Sequence, residues 1–147
     1  MDTHTSHSEA IEIGEVFTPP YWAGWLIDRW GVYDAWLNGA TVCDPTAGNG
    51  VFALALLRLA RSRNNEIDRK LLSRITLIEL HAKHLRDFKH QVKLEFGMDF
   101  PDSQLLARDV ITNTPPNRFD ILVGNPPLAN FTDLPHCSKE KPKPHFI

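Results

Sequence analysis

The sequence predicts an α/β domain built on a doubly wound, mostly parallel sheet. Three observations carry that expectation. Apolar runs at Ala40–Cys43, Ile75–Ile78 and Phe119–Gly124, with a less apolar one at Ser103–Ala107, read as strands. The early runs are apolar at nearly every position rather than at alternate ones, as in strands buried on both faces of a parallel sheet. Between them lie stretches with apolar residues at three- and four-residue spacing, the periodicity of helices. Each strand-like run also stops at a polar residue, namely Asp44, Glu79, Asp109 or Asn125. In such a sheet ligands bind beyond the carboxyl ends of the strands, where the winding reverses, so these residues are the first candidates for a site.

Residues 1–13 are polar with scattered histidines and are expected to form a loose arm. Phe17-Thr18-Pro19-Pro20 leads into a helix, with Thr18 as the cap and the prolines in a first turn whose amides lack helical partners anyway. Tyr21, Trp22, Trp25, Leu26 and Trp30 then recur at helical spacing, and the expectation for such a stripe is core packing rather than base or ligand stacking. Gly31 stops this helix, and Val32–Leu37 forms a second short turn. After the turn Asp44–Gly50, the residues from Val51 to Ala60 are apolar nearly all round, which predicts a buried helix ending at Arg61 and Arg63. Ile75–Ile78 is a strand stopping at Glu79, and Leu85, Phe88 and Val92 mark one narrow face of a charged helix. Pro115-Pro116-Asn117 is a loop before the last strand. The expected order is helix, strand, helix, strand, helix, strand, strand, linked by right-handed crossovers.

At 147 residues the chain can bury roughly 68–70% of its unfolded surface, enough for one core. The domain is expected over residues 14–135, with residues 136–147 as a disordered tail rich in lysine and proline. A net charge of -2 argues against a large basic nucleic-acid footprint within this chain. Cys43 and Cys137 form no disulfide framework, which points to a reducing, cytoplasmic compartment. The polar Met1-Asp2-Thr3-His4 start carries no signal-peptide pattern. No apolar run approaches the roughly 20 residues of a membrane span. His81, His84 and His90, and separately His136, Cys137 and His145, lack zinc spacing and read as solvated surface, so no metal is expected.

The strand ends carry the chemistry. Gly48 and Gly50 permit a tight turn and close backbone approach, and the helix that follows offers free amides to an anionic group. Gly48-Asn49-Gly50-Val51-Phe52-Ala53 also fits a relaxed dinucleotide pattern, so the turn alone is a weak signal. Glu79 is suited to accept both ribose hydroxyls of a nucleotide-type cofactor, or is a solvated strand-end carboxylate. Asp109 can accept from an exocyclic amine, or is an ordinary loop aspartate. Asn125-Pro126-Pro127 is more specific, because two prolines set φ at both positions and remove two donors. The Asn125 amide oxygen and the Pro126 carbonyl then stand as acceptors for the two hydrogens of a planar amine. Its lone pair is left free to attack a methyl donor without metal assistance. A nicotinamide oxidoreductase would explain the glycine turn and leave Asn125-Pro126-Pro127 unexplained.

With these segments in place the chain resembles the S-adenosylmethionine-dependent DNA adenine-N6 methyltransferases, whose catalytic domain is Rossmann-like. It is most similar to the type I modification subunits and fused restriction–modification enzymes, which place a cofactor motif before the glycine loop. The matching segments are Gly14-Glu15-Val16-Phe17-Thr18-Pro19-Pro20, Asp44–Gly50, Ile78-Glu79, Ala107-Arg108-Asp109 with Val110, and Asp120–Pro127, in the family's order. The resemblance implies that Phe17, Thr18 and Pro19 hold the methionine end of S-adenosylmethionine. It implies that Asp44, Thr46, Ala47, Gly48 and Gly50 hold the amino and carboxylate groups, that Glu79 binds the ribose, and that Asp109 and Val110 bind the adenine. Asn125, Pro126, Pro127 and Leu128 would hold the target adenine, flipped out of a DNA duplex.

Two positions depart from the family pattern. Leu128 stands where an aromatic residue usually stacks on the flipped base. Stacking is worth about 1–3 kcal/mol, which corresponds to roughly one to two orders of magnitude in rate. Phe131, three residues on, is an aromatic that could compensate. Only 19 residues follow Leu128 (147 − 128), too few for the family's remaining strands and target-recognition region. The expectation is therefore a C-terminally truncated core, completed by a second polypeptide or by its own missing part, or a remnant. The Phe119–Gly124 strand would be a long apolar sheet edge. Two other functions compete: a non-catalytic cofactor-binding or assembly module, and a methyltransferase acting on RNA adenine or protein glutamine.

Overall fold

The computed structural model describes residues 17–127, so the arm, Gly14–Val16, Leu128, Phe131 and the tail lie outside the described residues. The first helix, α1, spans Pro20–Arg29. Its N-cap is Pro19, at φ -59° and ψ 139°, with no side-chain cap bond. Thr18 is therefore one residue too early to cap, and the proline ring itself sets the entry conformation. Gly31 at φ 71° turns the chain into α2, Val32–Leu37.

The aromatic stripe of α1 does not pack in the core. Tyr21, Trp22, Trp25 and Trp30 are 73%, 53%, 46% and 68% exposed, while Ala23 and Ile27 are fully buried. A small residue and a branched one, four apart, let α1 approach α3 (Val51–Ser62) closely. Four bulky rings on that face would have held the two helices apart.

β1 is Val42–Asp44, shorter at its start than the apolar run. The amide of Ala40 bonds back to Ala35 O at 2.9 Å and so belongs to the helix exit. α3 is buried along most of its length, as its composition requires. A one-turn helix, α4 (Arg69–Leu72), follows, capped by the Asp68 carboxylate on the Leu71 amide. Apolar periodicity does not reveal so short a helix, and Asp68 was the signal available for it. β2 is Ile75–Glu79, buried at every residue. α5 spans Ala82–Phe96 and buries Leu85, Phe88 and Val92, the face its spacing marks.

The last two strands are shorter than their apolar runs. Ser103 and Gln104 lie in a 3-10 turn, Asp102–Gln104, started by Pro101, and β3 is Leu105–Ala107. β4 is Ile121–Leu122 rather than Phe119–Gly124. Asp120 explains its late start. Its carboxylate accepts from the Thr41 amide (2.8 Å) and hydroxyl (2.9 Å), taking the donor that would have continued the ladder.

The sheet has strand order β3-β2-β1-β4, and every pairing is parallel. The chain winds from β1 outward through β2 to β3, then returns to the other side of β1 for β4. The direction reverses between β1 and β4. The protein is thus an α/β fold with a four-stranded, all-parallel sheet flanked by helices, and Phe17–Asn125 form one compact unit.

Arg58 on α3 grips Glu95 on α5 through two bonds, at 2.7 and 2.8 Å, and Arg61 adds a third at 3.2 Å. The bond to Arg58 holds the Glu95 carboxyl below its usual range. Bonds to an ionised group are worth about 1.5–3 kcal/mol. Glu95→Gln keeps the shape and loses the charge, and should cost about 1–2 kcal/mol in urea unfolding at pH 7. Because the folded pKa is depressed, that contribution is present above pH 4.5 and disappears as pH falls through the folded value. The two proteins should converge in acid.

Candidate functional site

The carboxyl end of β1 is Asp44, only 3% exposed. Its Oδ1 accepts from the Thr46 amide at 3.1 Å. The turn is then stitched to β2 by the Ala47 amide on Ile78 O at 2.9 Å. Gly48 and Gly50 take φ values of 52° and 74°, in the left-handed region that favours glycine. Gly50 is the N-cap of α3 and has no side chain to satisfy the first amides of that helix. The helix therefore opens toward the turn with the partial positive charge of its N-terminus.

Glu79, at the end of β2, is 7% exposed. Its Oε2 accepts from the Gly48 amide at 2.7 Å and its Oε1 from the His81 amide at 2.9 Å. It is not a solvated strand-end carboxylate; it braces the glycine turn. Each carboxylate oxygen can accept a further bond, so bracing the turn and holding a ligand hydroxyl are compatible. His84 Nδ1 stands 3.6 Å from Oε1.

Two buried carboxylates thus face one turn. Burial, reinforced by the charge of Glu79, pushes the Asp44 carboxyl up to about 7 despite the opposing Thr46 amide. Burial also pushes the neighbouring Cys43 thiol up to about 12, so it is inert at neutral pH.

Two sequence-distant segments complete the crevice. Phe17 lies over Gly48, where an added Cβ would stand 3.1 Å from the Phe17 ring, and that ring meets His84 edge-on at 5.8 Å. From the other side, the backbone of Gly124 is pressed against the end of β1. A Cβ there would lie 2.8 Å from Asp44 Oδ1 and 3.2 Å from Thr46 Oγ1. In the sequence Gly124 is only the end of an apolar run, with nothing local to mark that approach. Among the described residues the buried Thr46 Oγ1 has no hydrogen-bond partner.

Beyond Gly124, Asn125 reaches an open cleft of about 370 Å³ between α1 and the end of β4. Leu26, Val32, Phe52 and Val123 give it apolar walls, and Thr18 and Asn125 supply its polar side chains. Trp30 stands at its rim. Pro126 and Pro127 follow and are exposed.

Asp109 is half-buried and heads the loop after β3, accepting from the Ile111 amide at 3.0 Å through Oδ1. Val110 beside it is half-buried. The sheet order puts the strands that lead to Asp109 and Asn125 at opposite edges, about 14 Å apart over three inter-strand spacings. The contacts therefore unite Phe17, Asp44, Thr46, Gly48, Gly50, Glu79 and Gly124, whereas Asp109 lies across the sheet from Asn125. Two exposed apolar residues beside the strand-end carboxylates went unread in the sequence. Leu80, directly after Glu79, is 61% exposed, and Ile111, two after Asp109, is 78% exposed. The available signal was an apolar residue just past a strand-end carboxylate.

No protein-family model matches the chain, and no curated protein matches it. Among the described residues no helix is long and apolar enough to cross a membrane.

Proposed function

We propose that this chain binds S-adenosylmethionine and takes part in transferring its methyl group to the N6 amine of adenine in DNA, working with a second polypeptide or a further C-terminal segment. The observation that carries the reading is the seam between β1 and β4. The Gly124 backbone lies against Asp44 and Thr46, so Asn125 directly follows the residue packed on the start of the glycine turn.

The donor set suits the cofactor. Asp44 offers an acceptor for its ammonium group, the open N-terminus of α3 suits its carboxylate, and Glu79 suits its hydroxyls. Leu80 and Ile111 are apolar flanks for a planar base, with Asp109 beside them. When bound, S-adenosylmethionine supplies a methyl group already activated on a sulfonium. The chain's own part is to orient and to accept hydrogen bonds. Asn125 and the Pro126 carbonyl take the two hydrogens of the target amine, leaving the nitrogen lone pair directed outward.

Calorimetric titration of S-adenosylmethionine into the full chain tests this, with Asp44→Ala and Glu79→Gln beside it. Saturable binding weakened by both substitutions is expected, followed by methyl transfer to adenine-containing DNA once the completing polypeptide is added. A folded chain that binds no cofactor would sink the proposal. Transfer to RNA or protein in preference to DNA would redirect it.

A further inference from the structure

We infer that Trp30 is the stacking platform for a nucleobase with an exocyclic amine, held in the cleft so that its amino edge meets Asn125. This rests on the adenine-methylating reading and adds to it the residue that grips the base.

Trp30 is 68% exposed at the end of α1 and contributes little to the core. Tyr21, Trp22 and Trp25 share that exposure but meet one another edge-to-face, at 5.5 and 6.0 Å. Trp30 instead lies at the mouth of the cleft that Asn125 lines. The lining chemistry selects the ligand. Among the described residues none that lines the cleft is charged, so these walls offer a phosphate or a free carboxylate no cation in exchange for its water. Apolar walls with an amide at one edge and a hydroxyl at another suit a flat heteroaromatic ring with one polar edge. A volume of about 370 Å³ is at the small end for ligand sites, enough for one base and not for a dinucleotide. An indole at the mouth supplies the face on which such a ring stacks, and stacking tolerates any base while the Asn125 amide selects for the amine.

The base could come from a substrate strand or from the cofactor's own adenine. The test is therefore run on the full chain with and without saturating S-adenosylhomocysteine. A dye-labelled thymine oligonucleotide carrying one adenine is titrated by fluorescence anisotropy, in DNA and RNA forms, beside one whose purine lacks the amine. Trp30→Ala should weaken binding of the adenine strand by roughly 5- to 150-fold, the range expected for one base stacked on an aromatic ring. Trp30→Phe should recover most of it, Trp25→Ala should leave it unchanged, and the amine-free strand should bind less tightly.

Equal binding by wild type and Trp30→Ala would overturn the inference, as would no binding by the wild type, whereas displacement of the strand by S-adenosylhomocysteine would assign the platform to the cofactor's own adenine. Preference for DNA or for RNA identifies the strand and upholds the site. Trp30-dependent binding in a chain that takes no S-adenosylmethionine would keep this inference and remove the methyl-transfer reading. Cofactor binding with a Trp30-independent strand would do the reverse.

Discussion

Gly50→Ala is expected to cost about 4 kcal/mol, from two effects that act together. At φ 74° an alanine bears left-handed strain of about 1–2 kcal/mol. Its Cβ would also stand 2.3 Å from Cδ2 of Phe88. Phe88 cannot swing aside, being 1% exposed and packed edge-on against Phe100 at 4.9 Å. Such overpacking typically costs about 1–3 kcal/mol. The total is a large share of the roughly 5–15 kcal/mol that holds an ordinary domain together. Gly97→Ala is the control, with a similar φ of 69° and nothing within 4 Å of an added Cβ. Urea unfolding should give it the strain alone, about 1–2 kcal/mol. Equal losses in the two variants would show that the Phe88 contact does not matter.

Asp44→Asn should stabilise the folded chain at pH 8 while weakening the S-adenosylmethionine binding proposed for it. The carboxyl titrates near 3.8 when unfolded and near 7 when folded. A raised folded pKa means that the folded state holds the proton more tightly. Asp44's contribution is complete below pH 3.8 and is lost as pH rises through 7. A tenfold change in proton affinity is worth about 1.36 kcal/mol, so the ionised group costs about 4 kcal/mol above pH 7. Asparagine keeps an oxygen for the Thr46 amide and carries no charge to bury. Urea unfolding at pH 5, 6, 7 and 8 should show wild-type stability falling with a slope that Asp44→Asn lacks. Parallel curves would mean that Asp44 does not titrate in this range. The same substitution removes a charged acceptor for an ammonium group, worth about 1.5–3 kcal/mol and so roughly 10- to 150-fold in affinity. Stability gained where binding is lost is the pattern of a site held at the expense of the fold.

Elements whose signal is local were legible in the residues. The Leu85, Phe88 and Val92 face, the all-round apolar helix from Val51 and the strand ending at Glu79 were readable because burial follows side-chain periodicity. The tryptophan stripe misled because helical spacing marks a face without saying which face turns inward. Close packing selected Ala23 and Ile27. The Phe119–Gly124 run overstated its strand because an Asp120 side chain, bonding to Thr41 across a separation of 79 residues, replaced backbone pairing. The long apolar edge expected there is a two-residue strand.

The order of residues was enough to set the alternation of strands and helices and the polar residue that closes each strand, since both depend on neighbours a few positions apart. It took the folded chain to bring Glu79 under Gly48, to press Gly124 on Asp44, and to give Trp30 and Asn125 a common cleft. Those contacts join residues 31, 80 and 95 positions apart (79 − 48, 124 − 44 and 125 − 30). They exist because parallel strands bring their carboxyl ends to one edge of the sheet, a consequence of winding that no local pattern records.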